Sequence, residues 1–127
     1  MSVERFPLRI SADLQARLSA RVVEDRYGPR GKSRWIREAL VKMLEDDPGF
    51  HRVGQGDKLE KHKSKELVTF SNSYVVWLNE KILEFQIGAP GLIGARSLLL
   101  RSAIRFRLDR PEAFIAKPPS SFPQRRR

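Results

Sequence analysis

The chemistry of this chain starts with two arginines on one strand face. Arg5 and Arg9 stand in Arg5-Phe6-Pro7-Leu8-Arg9-Ile10, where basic or polar side chains alternate with apolar ones at a period of two. That period describes a short strand with one wet face and one dry face. A guanidinium on the wet face presents a planar fork of N–H donors that matches a pair of acceptors. The overall charge points the same way. Lysine and arginine number 25 against 15 acidic residues, a formal +10 with a pI near 10.7, which favours a polyanionic partner.

Other chemistry is sparse. With no cysteine there is neither a disulfide framework nor a thiolate metal site, which suits a reducing cytoplasm. His51 and His62 sit in a polar stretch without ligand spacing and are expected to be solvated, so neither a metal nor a cofactor is expected. There is no Gly-rich phosphate loop ahead of a Lys-Ser/Thr pair and no acid–base constellation, so no catalytic residue is assigned and no enzyme is expected. No apolar run is long enough to span a bilayer, and the N-terminus lacks the basic-then-apolar layout of a signal peptide. The expectation is a soluble, cytoplasmic protein with no membrane partner.

The elements that must position Arg5 and Arg9 follow from hydrophobic spacing. After Ser11, a hydroxyl able to cap a helix, and Asp13 in its first turn, Leu14, Leu18 and Val22 recur every four residues. This predicts an amphipathic helix ending at Tyr27-Gly28-Pro29, with a tight connection from Gly28 to Gly31. A second helix is expected from Lys32-Ser33, burying Trp35, Ile36, Ala39, Leu40, Met43 and Leu44 and ending at Asp46-Asp47-Pro48-Gly49. Residues 47–64 read as a polar linker with room for one helical turn.

The opening plan then returns. Glu66-Leu67-Val68-Thr69-Phe70 is β-rich, Ser71-Asn72-Ser73 is a capping cluster, and Tyr74, Leu78 and Ile82 repeat the four-residue spacing. Ile10-Ser11 falls on Phe70-Ser71, Leu14 on Tyr74, Leu18 on Leu78, Gly28 on Gly88 and Gly31 on Gly91, all at an offset of 60. Beyond the glycines the offset is 64, which places Ser33 to Leu40 on Ser97 to Ile104. The chain is thus an internal repeat of strand, helix, turn, helix. A lone strand leaves its backbone unpaired, and each unit alone leaves an apolar helix stripe uncovered. Arg5 to Ile10 is therefore expected to pair antiparallel with Lys65 to Phe70 over one shared core. Trp35, Trp77 and Leu98-Leu99-Leu100 are expected in that core. Residues 1–46 and 65–110 form the two units, and 111–127, with Pro118-Pro119 and Arg125-Arg126-Arg127, is expected to be a disordered basic tail.

The alternating strand, the capped first helix and the twice-repeated pattern Ser-x-x-apolar-Arg-x-Ala-apolar together resemble the ribbon-helix-helix DNA-binding proteins, which include the Arc and methionine repressors. Two fused copies are similar to the TraY proteins of conjugative plasmids. The resemblance covers roughly residues 4 to 46 and 65 to 109. It implies a mainly α fold with a two-stranded antiparallel ribbon, arranged as an intramolecular pseudodimer, and double-stranded DNA as the partner.

Carried over by position, the resemblance makes Arg5, Pro7, Arg9, Lys65, Leu67 and Thr69 the base contacts. It makes Gly31, Lys32, Ser33, Ala95, Arg96 and Ser97, which open the second helix of each unit, the phosphate contacts. The physical case stands beside it. Arginine matches the two acceptors of a guanine edge, threonine donates or accepts, and Leu67 can meet a thymine methyl. In a register shifted by one, Leu67 would instead be buried. Helix-opening amides make an anion site, while Ser33 and Ser97 also suit simple capping. Pro7 removes a donor from the ribbon's middle and requires an outward-facing position. Glu66 stands where Phe6 leads one to expect an apolar residue. Arg37 and Arg101 are expected to make a structural salt bridge or carbonyl contact.

The implied role is a nucleoid-associated transcriptional regulator of a mobile element, or an accessory protein acting at a conjugative transfer origin. Further copies of the chain on adjacent sites belong to the same reading. A different class is an antitoxin-like module, with Phe114-Ile115 and Phe122 of the tail anchoring a protein partner.

Overall fold

The computed structural model of the chain describes residues 3–114. Two strands, β1 (Val3–Ile10) and β2 (Ser64–Ser71), accompany four helices, α1 (Ala12–Glu24), α2 (Lys32–Asp46), α3 (Asn72–Ile87) and α4 (Ala95–Asp109). The architecture is mainly helical with one two-stranded antiparallel sheet, as expected. Short 3-10 turns lie at Asp57–Leu59 and Pro111–Phe114.

The strands pair with Phe6 opposite Val68, and the period-two patterning decides which face is dry. Phe6, Leu8, Ile10, Val68 and Phe70 are buried against the helices, with the Phe6 and Phe70 rings 5.7 Å apart. A two-stranded ribbon has two open edges, and here helix side chains meet them. The Thr69 amide donates to Ser33 Oγ at 2.9 Å, and the Lys65 carbonyl accepts from Gln15 Nε2 at 2.9 Å. The Arg9 carbonyl accepts from Arg101 Nη1 at 3.0 Å. These backbone groups point out of the ribbon, so Arg5–Thr69 and Arg9–Lys65 are non-hydrogen-bonded pairs. By alternation Pro7–Leu67 is one too. The donor that proline lacks would have pointed away from β2, which is why Pro7 costs the ladder nothing.

α1 is capped as its sequence predicts, with Leu14 N–H donating to Ser11 Oγ at 3.0 Å, and it buries Leu14, Leu18 and Val22. It ends earlier than Tyr27. Arg26 takes a left-handed conformation (φ 63°), its amide bonding the Val23 carbonyl and that of Tyr27 bonding Val22 in a helix-terminating turn. The connection to α2 runs so tightly that a Cβ on Gly31 would lie 2.2 Å from the Tyr27 carbonyl oxygen, so only glycine fits. α2 and α4 make the most extensive helix–helix contact, joining Trp35, Ile36, Ala39, Leu40 and Met43 to Leu99, Leu100, Ala103 and Ile104. Trp77 and Leu98 are only half-buried. α3 is apolar around most of its circumference. Val75 and Leu78 face the core while Val76, Leu83 and Ile87 are exposed.

Two expectations change. Residues 47–63 are a strap bound to α4 rather than a free linker. Gly54 N–H donates to Ser102 Oγ at 2.9 Å, and Asp57 and Glu60 hold arginines of α4. Residues 111–114, expected to be part of the tail, are folded. They form a turn that sets the Phe114 ring 5.8 Å from Phe106 and 4.4 Å from the Arg107 guanidinium. The phenyl ring gains apolar cover and a cation–π contact there, which a solvated tail would forgo. Ile115, Phe122 and Arg125 to Arg127 lie outside the described residues.

Candidate nucleic-acid interface

The residues expected to contact bases form three cross-strand pairs on the outer face of the ribbon: Arg5 with Thr69, Pro7 with Leu67, and Arg9 with Lys65. All are exposed except Thr69, which is half-covered. Leu67 is 60% exposed, so the shifted register that would bury it does not occur. Directly opposed non-hydrogen-bonded residues bring their side chains closest, and the six form one contiguous patch. It combines three cations, a hydroxyl and two apolar groups.

The helix-opening residues lie beside this patch and divide between the strands. Lys32 and Ser33 open α2 next to β2, while Arg96 near the start of α4 reaches β1. The first-turn amides of Lys32 and Ser33, and of Ala95, Arg96 and Ser97, have no carbonyl one turn earlier in their helices to bond. Gly31 differs, since its amide donates to the Gly28 carbonyl at 3.1 Å. Ala95 is buried at its side chain, behind Gly94 in a left-handed conformation (φ 75°). Ser33 is used by the ribbon edge, and its hydroxyl does not cap α2.

The side chains of Lys32 and Arg96 are both engaged within the protein. Lys32 Nζ lies 3.1 Å from Glu66 Oε1 and 3.0 Å from Ser19 Oγ, and Gln15 Nε2 donates to the same Glu66 oxygen at 3.0 Å. This explains how a carboxylate occupies the inward face where an apolar residue was expected. Arg96 covers the Phe6 ring at 3.8 Å and lies 3.6 Å from Glu4 Oε2. At repeat-equivalent positions, one half has an ion pair and the other a cation–π contact.

An open groove of about 510 Å³ joins the patch to α2. Leu67 and Thr69 form one wall, and Arg30, Lys32, Arg34 and Arg37 the other. Sequence reasoning did not single out Arg30 or Arg34, whose positions in a connection and on an exposed helix face carry no periodic signal. Arg37 lines this groove, whereas Arg101 makes both structural contacts expected of the pair, an ion pair and a carbonyl bond.

The strap holds the end of β1. Asp57 receives Arg101 in a two-pronged contact at 2.8 and 3.0 Å and Arg105 at 2.8 Å. Burial would raise the Asp57 carboxyl, but hydrogen bonds and charge from Arg101 and Arg105 hold it down to about 2. Glu60 is likewise held below the ordinary range against burial, by Arg105 at 2.8 Å and Ser11 Oγ at 3.0 Å. His62, expected to be solvated, is half-buried with Nε2 3.3 Å from Asp57 Oδ2. Asp57 and Glu60 were missed because acids in a mixed-charge run carry no signal of their distant partners.

Among the described residues no group of three or more His, Asp or Glu side chains is placed to hold a metal, and no helix is long and apolar enough to cross a membrane. No family model matches the chain, and neither does any curated protein or solved structure.

Proposed function

We propose that the chain is a tandem ribbon-helix-helix protein, its two units forming an intramolecular pseudodimer, and that it binds double-stranded DNA sequence-specifically through the outer face of its ribbon. Its proposed role is that of a transcriptional regulator of a mobile element. The observation that carries this reading is the contiguous outer patch of Arg5, Arg9, Lys65, Thr69, Leu67 and Pro7, set in three cross-strand pairs. A two-stranded ribbon is narrow enough to enter the major groove, and these side chains offer bidentate donors, a hydroxyl and apolar groups to base edges. The pseudodimer reading is supported by reciprocal packing. α2 leans on β2 and α4 on β1, and the pairs Lys32–Glu66 and Arg96–Phe6 occupy equivalent places in the repeat.

The first strand presents two arginines where the second presents Lys65 and Thr69, so the bound site has two unlike halves. The test is selection from randomised duplexes followed by footprinting. Enrichment of one asymmetric sequence with protection of its major groove supports the reading, and enrichment no better than that of random duplex overturns it. The genomic position of the selected site, at a promoter or at a transfer origin, then separates transcriptional control from the conjugative accessory role, which uses the same chemistry.

A further inference from the structure

We infer that the strap ahead of β2 carries a second, one-sided contact to the DNA backbone, made by Lys61 and Lys63; this rests on the DNA-binding reading above. Along the chain from Lys61 to Leu67, exposed Lys61, Lys63, Lys65 and Leu67 alternate with half-covered His62, Ser64 and Glu66. An uninterrupted period of two keeps the odd-numbered residues on one face. Lys61 and Lys63 thus continue the outer face of the ribbon beyond its paired end, where Arg9 and Lys65 sit. At about 3.3 Å per residue, extended chain carries Lys61 at most about 13 Å past Lys65, a reach that takes in phosphates flanking the bases that the ribbon reads.

The strap is held in place, and its acids face inward. Asp57 is bound by Arg101 and Arg105, and Glu60 by Arg105 and Ser11. The ion pairs of the strap belong to Asp57 and Glu60, and His62 lies against Asp57. The inward acids are therefore matched by arginines of α4 and do not cancel the outward lysines. Among the described residues the other end of the ribbon offers no such arm. There Val3 and Ser71 are paired, and Glu4 lies 3.6 Å from Arg96. A contact of this kind adds affinity without adding sequence information.

The experiment compares the full chain with its Lys61→Ala/Lys63→Ala variant on the duplex selected by the parent. Both lysines are exposed, so the fold tolerates the change. The expected result is a salt dependence flatter by about 0.9 per lost contact, or about 1.8 for the pair, with backbone protection lost on one flank and the preferred base sequence unchanged. A Lys61→Arg/Lys63→Arg variant retains both the slope and the flank. A parent that binds duplex DNA, with an alanine variant of unchanged slope and footprint, overturns this inference alone. A parent that binds no duplex overturns the DNA reading and this inference with it.

Discussion

Arg9 joins the two faces of the ribbon within one residue. Its carbonyl is fixed by Arg101, while its guanidinium stands on the exposed outer face opposite Lys65. An anchored backbone presents the side chain from a defined position, which a bidentate contact to a base edge requires. Arg9→Ala is therefore expected to weaken binding to the selected duplex by about 1–3 kcal/mol and to relax preference at one base position, measured by titration against single-base variants. Unchanged affinity would remove Arg9 from the interface. Lys32 acts differently because its ammonium already neutralises Glu66, whose side chain is only 15% exposed. Lys32→Ala leaves that carboxylate with Gln15 Nε2 as its remaining side-chain donor, and the expected loss is about 1 kcal/mol in urea unfolding. Adding Glu66→Leu should recover most of it by supplying the apolar residue that the inward face otherwise carries. If the double variant is no more stable than the single one, the pair does not explain why an acid is tolerated there.

At the scale of elements, the strap is the part that changes the picture most. Its hold on α4 depends on ionised Asp57, so it is sensitive to acid. A carboxyl whose value falls from 3.8 to about 2 on folding adds stability that is complete above about pH 4 and lost as pH falls toward 2. The drop corresponds to about 2 kcal/mol. Urea unfolding of the full chain at about pH 5 and about pH 2 should show this loss, and Asp57→Asn should lack that part of it; equal pH sensitivity in the two would refute the anchor. This contact also shows what was legible in the sequence. The strands, the Ser11 and Ser71 caps and the wet face of the ribbon follow from local periodicity and turn chemistry, so residues 5–10 and 65–70 could be paired from sequence alone. The strap could not, because Asp57 finds Arg101 across 44 residues through charge alone, and charge has no period. α3 blurred for the opposite reason. With Val76, Leu83 and Ile87 apolar on its outer side, no single stripe marks the buried face, and Val75 entered the core unpredicted. Phe114 was misplaced because composition said tail, whereas its ring had Phe106 and Arg107 within reach.

For the whole molecule, the consequence is that neither half has a core of its own. β1 is covered partly by α4, and β2 by α2. Arg107 of α4 is buried between the Trp35 and Phe114 rings, donating to the Trp35 carbonyl at 2.9 Å and to the Tyr27 hydroxyl at 2.7 Å. Tyr27 in turn bonds Glu38, which lies 3.6 Å from Arg107 Nη1 and closes a polar network across the two halves. Removing one half would expose the apolar stripes of the other and strand this guanidinium without its acceptors. The two halves should therefore unfold together in one transition. Because both are covalently joined, that transition involves one chain and no association step, so Tm should not move with protein concentration. A homodimer of the same shape would gain several degrees over a hundredfold rise in concentration, since dimer stability follows mass action. Calorimetric scans over that range check the point. Two separate transitions would mean independent halves, and a Tm that climbs with concentration would mean that the ribbon's partner strand comes from a second molecule.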